Sequence, residues 1–172
     1  ISVEDENETR RQFSQESQSN FTRIKIGSPY QTVSGEQTYV ITYQVTGTTL
    51  FLADHDELYW NAVGPNWAVH INHVVVNVNL PESVAKDNLK ITSFTGRAGS
   101  KTTTATANAV SDDLVTFEGR NYSPYEGFTI AVGIPKGILL APPTLAEQPY
   151  QQSRLTNLAP QPQPVEHHFS IL

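Results

Sequence analysis

The sequence predicts an all-β domain, an antiparallel β-sandwich (Ig-like or jelly-roll-like) with a Pro/Gln-rich C-terminal extension. Three observations predict it. Thr38 to Thr46 alternates, with Tyr39, Ile41, Tyr43 and Val45 on one side and Thr38, Thr42, Gln44 and Thr46 on the other, interrupted by Val40. Phe128, Ile130, Val132 and Ile134 form a second apolar stripe at period two. No segment repeats its apolar residues at i, i+3, i+4 and i+7 over three turns. Period-two alternation of β-branched and aromatic residues marks half-buried strands, and Gly, Pro, Asn and Asp between such runs mark turns.

Further strands are expected at Thr22–Ile26, Thr48–Leu52, Leu58–Trp60, Leu89–Phe94, Lys101–Ala107 and Leu114–Phe117. Between Trp67 and Leu80 the apolar phase shifts: Val69 and Ile71 share one parity, Val74, Val76, Val78 and Leu80 the other. A regular strand cannot bury both sets on one side, so a bulge or a crossing between sheets is expected near Asn72-His73. Pro81 ends that run.

Three regions follow from composition. Residues 1–20 are expected to be a polar arm or loop, because Asp5 to Asn20 is charged and lacks apolar periodicity. Residues 21–140 are the sandwich. Residues 141–172 are a linker or wrapping arm leading toward a membrane segment, since six prolines from Pro142 to Pro164 punctuate a Gln-rich stretch. Phe169 to Leu172 could begin a spanning helix; no run within the chain reaches the roughly 20 apolar residues a span needs. Met is absent, so the chain is read as starting after processing or inside a longer protein.

At 172 residues the chain suits one domain with a real core. Apolar residues make up 38% and charged residues 16%, a balance in which hydroxyls and amides coat the outer faces of strands. The net charge of −6 argues against nucleic-acid binding and polybasic docking on anionic lipid. With no cysteine, disulfides, thiolate zinc sites and cysteine nucleophiles are excluded.

Asp54-His55-Asp56-Glu57 is the densest polar cluster. Its carboxylates suit calcium and His55 suits zinc, but adjacent residues rarely converge on one ion, and no glycine-punctuated calcium loop is present. A solvated turn is the competing interpretation. His70 and His73 point to opposite sides of a regular strand, though the phase shift could bring them together; His167 and His168 lie in the tail. Tyr59 and Trp67 are candidates for an exposed binding surface that could stack on sugars or anchor a protein interface, whereas alternation buries Trp60. No nucleophile elbow, zinc-protease helix or phosphate-cradling glycine loop is found, so no catalytic or cofactor-binding residue is expected.

Several stretches occur in a recognisable order: Arg23-Ile-Lys-Ile-Gly-Ser28, Thr32-Val-Ser-Gly35 and Thr38-Tyr-Val-Ile-Thr-Tyr43; then Asp54-His-Asp-Glu-Leu-Tyr-Trp-Asn61 with Gly64 and Trp67; then Val76-Asn-Val-Asn-Leu-Pro81. Phe94-Thr-Gly96, Gly99-Ser100 and Glu126-Gly-Phe-Thr-Ile-Ala-Val-Gly-Ile-Pro-Lys-Gly137 follow. Over roughly residues 20 to 140 the chain resembles the bacterial predicted membrane proteins grouped as domain of unknown function 2207. The resemblance implies an extracytoplasmic, membrane-anchored domain followed by transmembrane helices, with no established activity. It also implies a further strand-rich stretch ahead of residue 1, so that an edge is left open. The function expected is a non-catalytic module making protein–protein or cell-envelope contacts. Alternatives are a carbohydrate-binding or carbohydrate-processing domain, or homotypic assembly through an open edge strand.

Overall fold

The computed structural model describes residues 1–17, 22–139 and 169–171. In chain order its first six strands are β1 Ser2–Glu4, β2 Phe13–Ser17, β3 Thr22–Ile26, β4 Val40–Thr42, β5 Thr49–Phe51 and β6 His55–Val63. They are followed by β7 Ile71–Asn79, β8 Lys90–Gly96, β9 Thr106–Ser111, β10 Leu114–Tyr122, β11 Gly127–Pro135 and β12 Phe169–Ile171. A single 3-10 turn, Lys86–Asn88, is the sole helical element among the described residues. The chain is therefore all-β, built from several antiparallel sheets, with one parallel pairing, β12 on β3. It divides into two compact units, Ile1–Gly47 with Val165–Leu172, and Thr48–Pro164.

In the first unit β1 pairs with β4, and β3 lies between β2 and β12. Val3, Ile24 and Ile26 form its core, with Phe13, Tyr39 and Ile41 packed against them. The expectation of a polar arm over 1–20 is corrected here: β1 and β2 fall inside it, and Val3 is a core residue. The strands escape a periodicity search for a physical reason. β2 has Phe13 half-buried and its other residues exposed, and is held by its ladder to β3 and by Glu16 pairing with Lys25 and Arg23. Between β1 and β2 the Asp5 carboxylate accepts the backbone N–H groups of Asn7 and Thr9 at 2.9 Å each. Arg11 approaches it at 3.0 Å, so the charged run is a structured turn.

Burial alternates from Tyr39 to Val45 as the pattern requires, yet a ladder forms at Val40–Thr42 alone. The expected linker 141–172 lies outside the described residues except for Phe169–Ile171. There the backbone is a strand, which corrects the expectation of a helical first turn.

The second unit holds a four-stranded sheet, β5-β6-β11-β8, and a three-stranded sheet, β7-β10-β9. Phe128, Ile130, Val132 and Ile134 of β11 are buried, and cluster with Val115, Phe117 and Tyr122 of β10 and with Leu80 and Val84. Val74, Val76 and Val78 of β7 and Ile91 of β8 pack against that cluster. β8 turns Ser93 and Thr95 into the interior. Ser93 Oγ lies 2.8 Å from Thr103 Oγ1, and the Thr104 N–H donates to Thr95 Oγ1 at 2.9 Å. These hydroxyl contacts explain why the strand expected over Lys101–Ala107 starts only at Thr106: Thr102 to Thr104 is occupied with β8.

The phase shift near Asn72 is real, but its cause differs from the one expected. β7 begins at Ile71, and its register against β10 stays constant from Asn79↔Leu114 to Ile71↔Tyr122, lacking only the Asn72–Asn121 pair. No residue is inserted. Asn121 instead adopts φ 59°, and both strands change phase together, so that Ile71 and Tyr122 join the core on the far side of that pair. A register shift does occur on β6, where Phe128 pairs with Val63 and Thr129 with Asn61, leaving Ala62 as the extra residue.

Candidate functional site

Directly opposed residues of an antiparallel pair share a side of the sheet. Asp56, Leu58 and Trp60 oppose Ile134, Val132 and Ile130, and so lie on the core side of β6. His55, Glu57, Tyr59 and Asn61 lie on the outer side, opposite Pro135, Gly133, Ala131 and Thr129. Lys90, Thr92 and Phe94 of β8 flank the same small residues of β11 from the other edge. A Cβ on Gly133 would come within 2.8 Å of His55 Cδ2 and 3.0 Å of Lys90 Cβ, so the glycine leaves room for these two side chains to meet.

Strand alternation therefore separates Asp56 from His55 and Glu57, while Asp54 lies just ahead of β6. On the outer side His55 Nδ1 lies 2.8 Å from Asp54 Oδ1, and His55 Nε2 lies 3.6 Å from Glu57 Oε2. Lys90 donates from Nζ to Asp54 Oδ2 at 2.7 Å and sits 3.3 Å from His55 Nδ1. The Lys90 ammonium, followed by His55, holds the Asp54 carboxyl well below the usual carboxylate range. On the core side Asp56 is 1% exposed and accepts a hydrogen bond from Lys136 Nζ at 2.6 Å. The same ammonium stands 5.7 Å from the centroid of the Phe51 ring.

The expected metal ligands Asp54, His55, Asp56 and Glu57 thus do not converge as a set: Asp56 faces the core, the other three meet through His55 on the outer side, and lysines engage Asp54 and Asp56. Among the described residues no group of three or more His, Asp or Glu is placed to hold a metal ion such as calcium or zinc. His73 is engaged on the neighbouring strand: its Nε2 contacts Glu118 Oε1 at 3.0 Å, and Arg120 bonds the same oxygen at 2.6 Å, while His70 lies ahead of β7. His167 and His168 lie outside the described residues.

The two aromatic candidates are less open than expected. Tyr59 is half-buried on β6, and burial, with Glu57 nearby, pushes its hydroxyl above the ordinary tyrosine value. Trp67 is half-buried in the connection from β6 to β7, where its carbonyl accepts the Tyr125 N–H at 2.7 Å. Trp60 packs on the core as alternation predicts. Lys90 and Lys136, which decide the chemistry of the cluster, escaped the sequence reading. They lie 36 and 80 residues from their partners, and no local pattern carries that information.

Fold and cluster together define an all-β domain whose charged side chains hold one another across the sheet. Residues 2–134 match the model of a family described as predicted membrane protein (DUF2207) N-terminal domain, and the chain belongs to that bacterial family. It is accordingly the extracytoplasmic domain of a membrane-anchored protein. The match takes in β1 and β2, so the stretch read as an arm is part of the family domain. No curated protein and no solved structure matches the chain. Among the described residues no helix is long and apolar enough to cross a membrane.

Proposed function

We propose that this domain is a non-catalytic β-sandwich module, held outside the membrane, that makes protein–protein or cell-envelope contacts. The sandwich reading is supported by one apolar cluster that takes Val115 and Phe117 from the three-stranded sheet and Phe128 to Ile134 from the four-stranded sheet. The non-catalytic reading rests on one observation: the carboxylates of Asp54 and Asp56 in the densest polar cluster are engaged by Lys90, His55 and Lys136. A general acid or base needs a carboxyl free to exchange protons near neutral pH, whereas Asp54 is held in the opposite direction.

The test is turnover. The purified domain is expected to give a β-rich circular dichroism spectrum and no hydrolysis of generic ester, peptide or glycoside substrates. Turnover abolished by a single substitution at Asp54, Asp56 or Glu57 overturns the proposal. A carbohydrate-binding or carbohydrate-processing domain is the alternative that a glycan array separates, through signal lost in Tyr59→Ala or Trp67→Ala.

A further inference from the structure

Every sheet has two edges, and an edge strand presents a row of unpaired backbone donors and acceptors unless something blunts it. In the second unit three of the four edges are short or blunted. β5 is three residues long. β8 is engaged by the Thr102–Thr104 segment, whose Thr102 carbonyl accepts the Thr95 N–H at 2.7 Å. β9 carries a register shift at Val110, and Lys86 Nζ donates to the Val110 carbonyl at 3.1 Å. Both are devices that keep an edge from pairing.

β7 has neither device among the described residues. It runs nine residues, Ile71 to Asn79, and is paired to β10 along one side only. It contains no Lys, Arg, Asp, Glu, Pro or Gly. Four of its residues are valine, and Val75, at its centre, is 50% exposed.

We infer that β7 is a self-association edge: a second copy of this chain adds its own β7 antiparallel to it, about a two-fold axis near Val75. The inference deepens the contact-module reading and rests on it. A two-fold axis places the same strand on both sides, so the strand must complement itself. On the solvent side of β7 the exposed residues run His73, Val75, Asn77 and Asn79, and the self-complementary part is His73 to Asn77. Under the two-fold axis His73 of each copy faces Asn77 of the other, and Val75 faces Val75. An imidazole–amide pair then flanks an apolar pair at each end, and no like charges meet, despite a net charge of −6 on each chain. The product is a continuous six-stranded sheet, β9-β10-β7 followed by its two-fold mate, in which the unpaired backbone groups of β7 find partners.

The absence of cysteine makes the 172-residue chain suited to thiol trapping. Sedimentation velocity over a concentration series is expected to show a reversible dimer. Val75→Lys sets two ammonium groups against each other and weakens that dimer by about tenfold or more; Val75→Glu is the second variant should the lysine chain fail to fold. In separate chains carrying one thiol each, Val75→Cys is expected to form disulfide dimers about tenfold faster than Val110→Cys, since pairing raises the effective concentration of the facing thiols. Val110, 56% exposed on β9, is the matched control. A monomer at the highest soluble concentration, undiminished association in both charged variants, or trapping at Val110 as fast as at Val75 each overturns the inference. None of these results bears on turnover, on which the contact-module reading fails separately.

Discussion

Gly119 leaves in the middle of β10 the space that the Tyr122 ring and hydroxyl fill: a Cβ built on Gly119 would overlap the Tyr122 oxygen. Tyr122 is 3% exposed, stacks on Phe128 with centroids 5.8 Å apart, and its hydroxyl has no hydrogen-bond partner among the described residues. Gly119→Ala is therefore expected to destabilise the domain by about 2–3 kcal/mol, the cost of overpacking a filled core. Tyr122→Phe removes a buried group that gains nothing from its surroundings, so it should be neutral or stabilise by up to about 1 kcal/mol. Urea melts of the two variants measure both signs.

Asp56 and Lys136 form an unequal pair, since the carboxylate is buried and the lysine side chain is 43% exposed. Removing the lysine strands a buried charge. Lys136→Met is expected to cost about 1–3 kcal/mol, towards the lower part of the range for buried pairs because the lysine end meets solvent. Adding Asp56→Leu to that variant should recover part of the loss, as replacement of both partners by apolar groups often does. A double-mutant cycle by chemical denaturation checks the sign.

Four carboxylates have acidities shifted the same way. Asp5 is lowered chiefly by the Thr9 N–H, Glu16 by Lys25, Asp54 by Lys90, and Glu118 by Arg120 and then His73. A carboxylate lowered in the folded state contributes stability above its unfolded value and loses it as pH falls toward and through the folded value. Thermal melts should therefore show stability falling below about pH 4, the region of unfolded carboxylates. Asp54→Asn and Glu118→Gln should each make that decline shallower, and added salt should shrink the difference because these pairs are exposed.

Two glycines of β11 meet obstacles of different kinds. A Cβ on Gly127 would stand 2.9 Å from the Val63 carbonyl oxygen, at the register shift, whereas one on Gly133 meets the side chains of His55 and Lys90. Backbone in a ladder cannot move aside, but side chains can rotate. Gly127→Ala is expected to lower stability by about 1 kcal/mol more than Gly133→Ala. Gly133→Ala should also displace His55 from Asp54, which the NMR chemical shifts of the His55 ring protons would report.

Calcium, zinc and EDTA are expected to leave the melting temperature unchanged, because Asp54 is engaged by His55 and Lys90 just ahead of β6 whereas Asp56 is buried on its core side against Lys136. A melting temperature raised by either metal and reversed by EDTA would count against that arrangement.

The strand content was legible because side-chain alternation is a local property. Phe128, Ile130, Val132 and Ile134, each no more than 3% exposed, declare their side of β11 by parity alone. The half-burial of Tyr39, Ile41, Tyr43 and Val45 follows the same rule even where no ladder forms. β2 was not legible, since four of its five residues are exposed and its stability resides in pairing with β3. The register constancy at Asn72 was hidden for a related reason: the phase change is shared with Asn121, a residue of the neighbouring strand.

By itself, then, the sequence determined the all-β class, the buried stripe of β11, the family likeness and the place where β7 changes phase, all of which depend on neighbours along the chain. Tertiary structure alone decided that Asp56 is buried while Asp54 is exposed, that Lys136 and Lys90 hold them, and that β7 is paired along one side only among the described residues. Those depend on which strands lie next to one another, and strand neighbours are chosen by burial summed over the whole core, a quantity that no short window of residues contains.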